Sequence, residues 1–461
     1  MASWEISEDG LTYTFHIFED ANWSNGAQVT ADDFVYGWRR LADPETGSEY
    51  AFILDTIHVV NAAEVHAGEL PLEELGVEAP DSKTFIVHLS LPCDFMLGLL
   101  ANPVLFPLNQ EFFEAQGDQY ALSIDNLLFN GEYLMTGWDE GTAYTFTKNP
   151  DYVHADDFTN ETLVYRILLE TQTSILEYQQ DKVNLVPMNG EMVDMYKEEE
   201  GFHNRLEGTM WYLIPMLEDE IMANADFREF LAYAVDGNAI GESVLKDGSI
   251  KADGFIGHSF AFDENGVDFR DTAGTLTEYN PEKAKEAFDR AREALGDTIT
   301  INLYYEDSDS AKNVAENLQQ MLLGAAGEGL EVTMTCKPKK TRVQDLLNHN
   351  FQLMLTRWGP DYADPQIFLD MFVTGNEMNS SLYSSEKYDE LIIRGTRGED
   401  ASDSAARWQD MIDAERVLIA EDHALIPVYQ QGSALMITPG CEGYLFLSAA
   451  SGVYRHLHWA E

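Results

Sequence analysis

Between Leu11 and Ile17, Tyr13, Phe15 and Ile17 alternate with polar residues, the period of a strand with one buried face. The period then changes. In "VTADDFVYGWRRL" Phe34, Trp38 and Leu41 share one stripe behind Thr30 as N-cap and Asp33 at the capping-box position, which predicts a helix. Alternation returns in "DSKTFIVHLS" through Phe85, Val87 and Leu89, and in "GTAYTFTKNPDYV", where Asn149-Pro150 stops the strand. Leu163 to Leu169 predicts a further strand. "DFREFLAYAVDGNAIGESVL" places Phe227, Phe230, Leu231, Ala234 and Ile240 at helical spacing, so helix is expected through Ile240.

From residue 280 the order becomes regular. Asn280 caps a helix that has Pro281 at its first position and Ala284, Ala287, Phe288, Ala291 and Leu295 along one side. Strand Thr298–Tyr305, a helix with Val314, Leu318 and Met321, strand Leu330–Cys336, a helix near Val343–Leu347 and strand Phe351–Thr356 follow. Alternating helix and strand predicts a sheet with crossover helices, which binds ligands beyond the carboxyl ends of its strands. "RWGPDYADPQIFLDMF" begins at such an end and sets Asp361, Asp364 and Asp370 among rings.

The chain of 461 residues exceeds one ordinary core, which predicts two or three domains. With 28 basic and 81 acidic residues its formal charge is −53. That balance repels nucleic acid and anionic membranes and favours cationic or zwitterionic ligands, although a heavily solvated surface gives the same figure. No run of about 18 apolar residues is present to span a bilayer. The start, Met1-Ala-Ser-Trp-Glu, lacks the basic and apolar stretches of a signal peptide. Cys93, Cys336 and Cys441 are too widely spaced for a zinc pattern.

Few catalytic constellations emerge. Gly257-His-Ser-Phe-Ala261 comes near a hydrolase elbow, but its last position is Ala and no strong strand precedes it, so Ser259 reads as a loop serine. His456 and His458 could share one side of a strand and bind a metal, yet no third ligand stands at a suitable spacing. No phosphate-cradling loop, zinc-protease helix or basic aromatic patch occurs, so no cofactor is expected and a binding protein is favoured. Gly359-Pro360 turns the chain after a buried strand and presents Asp361 and Tyr362 beside Trp358. Asp361 there either pairs with an incoming ammonium group or bonds its own backbone in an Asx turn.

The segments "SWEISEDGLTYTFHI", "ANWSNGAQVTADDFVYGWRRLADP", "FNGEYLMTGW", "DFREFLAYAVDGNAI", "RWGPDYADPQIFLDMF" with "NSSLYSSEKYDELI", and "ALIPVYQQGSALMI" occur in this order, and the pattern resembles the solute-binding proteins of oligopeptide ABC transporters. The resemblance runs from residue 3 to 461. It implies a non-enzymatic, monomeric receptor outside the cytoplasmic membrane, often lipid-anchored, that delivers peptides to a permease and its ATPase subunits. The implied fold is α/β, periplasmic-binding-protein-like type II, with two lobes joined by a two-strand hinge plus an extra α+β domain. The implied division is 1–109 for the extra domain, 110–208 with 432–461 for lobe one, and 209–431 for lobe two.

By the same resemblance, Asp361, three residues after Trp358, pairs with the peptide's α-ammonium, with Gly359, Tyr362 and Arg357 around it. "GTMWYL" with Trp211 and Tyr212 resembles the first hinge strand, "PVYQQG" with Tyr429 the second, and Asn130 and Gly131 a loop facing the cleft. Same-fold relatives bind nickel chelates, haem or oligosaccharides, and a sensor role is a further alternative. Where some relatives carry a carboxylate-binding arginine, this chain has Leu355 and Thr356, with Arg357 adjacent. A disulfide found in some relatives is not expected, since Gly359 and Trp211 stand thereabouts. The export signal and the first strand and helix of the family pattern are missing before Trp4, which implies an N-terminally incomplete chain, either a fragment or one with a misassigned start, with an exposed sheet edge and poor solubility or instability.

Overall fold

The computed structural model describes residues 1–93, 95–168, 170–448 and 452–460, together with the backbone but not the side chain of Thr171. It divides into two compact units: Met1–Leu176 with Gly440–Leu445 and Gly452–Glu461, and Glu177–Pro439 with Phe446–Ser451.

In the first unit the alternating segments become strands as their period requires. β1 (Ser3–Ile6), β2 (Thr12–His16), β3 (Val77–Asp81) and β4 (Thr84–His88) form an antiparallel sheet in the order β1-β2-β4-β3. Helix Ala31–Ala42 packs on it, with Trp38 fully buried and 5.3 Å from Phe85 edge to face. Burying a side chain of that size contributes on the order of 3 kcal/mol. Asp33 accepts from the Thr30 N–H at 2.9 Å and from Trp23 Nε1 at 3.0 Å, so the predicted N-terminal cap also anchors the preceding loop. β1 lies at the sheet edge with all four residues exposed.

A second antiparallel sheet joins β5 (Tyr133–Asp139), β6 (Ala143–Lys148) and β7 (Thr162–Arg166). β7 realises the strand expected from Leu163; the far end of that expectation, Leu169, lies outside the described residues.

The second unit is built on a mixed seven-stranded sheet. Its strands are β8 (Leu185–Met188), β9 (Phe202–Pro215), β10 (Ile250–Lys251), β11 (Ile299–Glu306), β12 (Leu330–Lys337), β13 (Leu353–Trp358) and β14 (Ile426–Ile437). The order is β10-β14-β9-β13-β11-β12, with β8 also on β14. β11 runs parallel to β12 and β13, as the helix–strand alternation predicts, whereas β9 is antiparallel to both β13 and β14. Helices Ala225–Ala234, Pro281–Leu295 and Asp309–Ala326 contribute Phe227, Phe230, Phe288 and Leu318 to the core on this sheet, all fully buried. Asn280 caps its helix by accepting from the Lys283 N–H at 3.1 Å.

One expectation is corrected. The helix from Asp226 does not continue through Ile240: it ends at Ala234, Val235 is extended, and the Asp236 carboxylate accepts from the Ala239 N–H at 3.1 Å, capping a new helical segment. The apolar spacing continues across the break because both segments pack on one core, so periodicity alone does not reveal it. Among the described residues no helix is long and apolar enough to cross a membrane.

Candidate functional site

β13 delivers Arg357 and Trp358 to the end of the second unit's sheet, and the chain then turns at Gly359-Pro360. The turn sits tightly on β9. A Cβ added at Gly208 would lie 2.7 Å from Pro360 Cγ and 2.6 Å from the Ser448 carbonyl oxygen, so only glycine permits this approach.

The three carboxylates after the turn have different surroundings. Asp361 is half-buried, and no hydrogen bond or ion pair reaches it from the described residues. Burial pushes its pKa above the ordinary aspartate value, with no neighbouring charge to offset the desolvation. Asp364 is buried and accepts from the Gln366 N–H at 2.9 Å, which is the Asx-type turn weighed above for Asp361. It also receives both terminal nitrogens of Arg407, at 2.6 and 3.0 Å. Asp370 accepts from Gln366 Nε2 at 2.8 Å, and burial raises its pKa. Self-bonded turn chemistry therefore belongs to the base of the loop, and Asp361 at its head is left unpaired among the described residues.

The aromatic expectations are redistributed. β9 lies between β14 and β13 in the sheet, and its side chains from Met210 to Pro215, which alternate between the two faces, are all buried. Trp211 is 3% exposed, stacked on Tyr429 at 5.5 Å with the Arg357 guanidinium 5.0 Å from its ring. Tyr212, on the opposite face, is 1% exposed against Phe255 at 4.9 Å. Tyr362 and Tyr429 are 5% and 3% exposed. Open stacking faces at Trp211, Tyr212, Tyr362 and Tyr429 are thus not present in this structure, and of the expected aromatics Trp358 alone keeps partial exposure. The Trp358 Nε1 is buried and without an acceptor among the described residues.

Arg357 does not stand free. Its guanidinium lies 3.7 Å from the buried Glu306 carboxylate, which also faces Arg342 at 3.5 Å. Asn130 and Gly131 belong to the first unit, where the Gly131 carbonyl accepts from Asn149 Nδ2 at 2.8 Å.

Several polar residues behind the site carried no local signal in the sequence. Gln431 accepts from Trp211 Nε1 at 2.9 Å and donates to Glu207 at 2.8 Å. Its neighbour Gln430 points the other way, donating to the Glu207 and His258 carbonyls at 2.8 Å each. Adjacent residues of a strand face opposite sides, and the register of β14 on β9 also shifts between Gln430 and Gly432. Burial is the largest effect on Glu207 and raises its pKa.

The remaining candidates are occupied otherwise. His258 Nε2 lies 2.9 Å from Asp253, and Ser259 occupies an exposed left-handed turn. The His456 ring stacks on Phe158 at 5.2 Å, while His458 Nδ1 meets the His456 carbonyl at 3.0 Å. Cys93, Cys336 and Cys441 form no disulfide among the described residues.

Residues 1–380 match the family described as bacterial extracellular solute-binding proteins, family 5 Middle. The dipeptide-binding protein of Lactococcus lactis subsp. cremoris is 29% identical over 96% of this chain and 83% of its own length. Among solved structures, Listeria monocytogenes OppA bound to peptide superposes with a TM-score of 0.84 at 30% identity, covering 100% of this chain and 89% of that one. The substrate-binding domain of an oligopeptide ABC transporter from Bacillus anthracis gives 0.85 at 31%, with coverage of 100% and 89%.

Proposed function

Since the chain belongs to the bacterial extracellular solute-binding proteins of family 5, with their mixed α/β type II fold, we propose that it captures oligopeptides outside the cytoplasmic membrane. It then hands them to the permease and ATPase subunits of an ABC importer. Proteins of this family are solute-binding proteins rather than enzymes. The similarity to a dipeptide-binding protein and to a peptide-bound OppA supports the ligand class.

Asp361 carries the reading within the site. A half-buried carboxylate with no partner among the described residues has lost hydration without compensation, and a ligand ammonium group supplies what is missing. Trp358 at the end of β13 is the ring beside that ammonium, and Arg357 and Gly359 shape the turn. Trp211, Tyr212, Tyr362 and Tyr429 support the site from the core in this conformation. Asn130 and Gly131, in the first unit, stay in the proposal as ligand-binding residues on the resemblance alone. Peptide main-chain groups make most of the remaining hydrogen bonds, so side-chain identity matters little.

The proposed division keeps an extra domain at 1–109, lobe one at 110–208 with 432–461, and lobe two at 209–431. β9 and β14, which cross 208/209 and 431/432 and pair with each other, are the connecting strands of this proposed division; both lie within the second compact unit. The receptor acts as a monomer.

Asp361→Ala lowers peptide affinity by about 2–5 kcal/mol if the ammonium pair is buried in the complex. Calorimetry with a tetrapeptide pool captured from wild-type protein tests this; unchanged affinity in the variant removes Asp361 from the site.

A further inference from the structure

Helix Ser404–Arg416 grips two loops behind the candidate site. Near its start Arg407, 9% exposed at its side chain, holds Asp364 through two nitrogens and donates to Gln366 Oε1 at 3.1 Å. Gln366 in turn donates to Asp370 at 2.8 Å. Near its end Glu415 accepts from the Phe255 and Ile256 N–H groups at 2.7 and 2.9 Å and pairs with Arg270. The loops so held meet through rings: Phe255 lies 5.1 Å from Phe368 and 5.6 Å from Phe372, and Phe260 lies 5.3 Å from Phe368. The segment carrying Asp361 is therefore clamped at Trp358 by β13 and at Asp364 by Arg407, with five intervening residues.

We propose that Arg407 is a positioning residue for Asp361: by binding Asp364 and Gln366 it fixes the base of the loop and keeps its own charge away from the carboxylate at the head. This rests on the reading of Asp361 as the acid that meets the ligand's amine. The loop holds acids three residues apart, and a guanidinium shared between them would neutralise the site before a ligand arrived. The geometry commits Arg407 to Asp364 and Gln366. Two charge-assisted bonds to Asp364 and a third bond to Gln366 use the planar donor edge of Arg407 on the buried side. Asp361 consequently discriminates amine from amide in its ligand, because its orientation and its lack of a partner among the described residues are both maintained from beneath.

The test measures that discrimination. The full chain is equilibrated with an equimolar random-tetrapeptide mixture, half with free α-amino groups and half N-acetylated, and the bound peptides are weighed by mass spectrometry. Wild type retains the free-amine half, and Asp361→Asn brings the ratio near one. Arg407→Met and Asp364→Asn reduce the wild-type ratio about tenfold, the scale of one weakened charged contact. A purely structural role lowers the melting temperature and leaves the ratio unchanged, which overturns the proposal. If Arg407→Met does not fold, Asp364→Asn, nearly identical in shape, decides alone. Absence of a free-amine preference in wild type, or its persistence in Asp361→Asn, overturns the reading of Asp361 and the proposal with it.

Discussion

At the end of helix Ser404–Arg416, Glu415 is fully buried and its oxygens are met by two backbone N–H groups and by Arg270. At the head of the loop after β13, Asp361 is half-buried and met by nothing among the described residues. One carboxylate is more deeply desolvated yet fully compensated; the other is less desolvated and uncompensated. The contrast separates architecture from function better than burial does. A satisfied buried charge holds elements together, whereas an unsatisfied one at a strand's carboxyl end is available to a ligand.

Breaking the compensated side has the larger consequence. Glu415→Ala leaves Arg270 and the Phe255 and Ile256 N–H groups buried without their acceptor, and lowers folding stability by about 3–5 kcal/mol. Urea denaturation followed by circular dichroism checks it; a loss below about 1 kcal/mol contradicts the view that this network is a main fastener.

Asp361→Asn sharpens the other side, since ligand-free stability at neutral pH is maintained or raised while peptide affinity falls. The sign follows from the raised pKa. Burial lifts the folded-state value above that of the unfolded chain, so the ionised group opposes folding at neutral pH and this opposition is relieved as pH falls through the folded pKa. Amine binding needs the ionised form and therefore weakens over the same interval, above the ordinary aspartate range. Titration of a C-terminally amidated tetrapeptide pool between pH 7 and pH 4 reads this in wild type. The Asp361→Asn variant should lack that step, and an identical profile in both proteins excludes Asp361 as its source.

How far these two regions are legible in the sequence depends on the distance over which their partners lie. Alternation at Tyr13 and Phe15 and the cap at Asn280 concern neighbours along the chain, and both appear as expected. The helix break at Val235 does not, because Asp236 competes locally for the Ala239 N–H while the apolar spacing continues past it. The loop with its three acids stands out by composition, and its resemblance to a known motif selects Asp361. Which acid bonds itself depends on Arg407, 43 residues beyond Asp364, and no local pattern announces that pairing. The burial of Trp211 likewise requires Tyr429 and Gln431, more than two hundred residues away, to arrive on the adjacent strand.

Trp211 supplies the smallest effect and a test of whether the covered rings are architecture or site. Its indole N–H is satisfied by Gln431 at 2.9 Å, and one face is stacked on Tyr429. Trp211→Phe keeps an aromatic surface but leaves the Gln431 oxygen without that donor, so stability should fall by about 0.5–1.5 kcal/mol. If the ring only supports β9 and β14 from within, tetrapeptide affinity measured by calorimetry stays near the wild-type value. A larger change in affinity than in stability would mean that Arg357 leaves the indole in the bound state and exposes it to the ligand. In that case Trp211 would belong with Asp361 on the uncompensated side of the comparison rather than with Glu415.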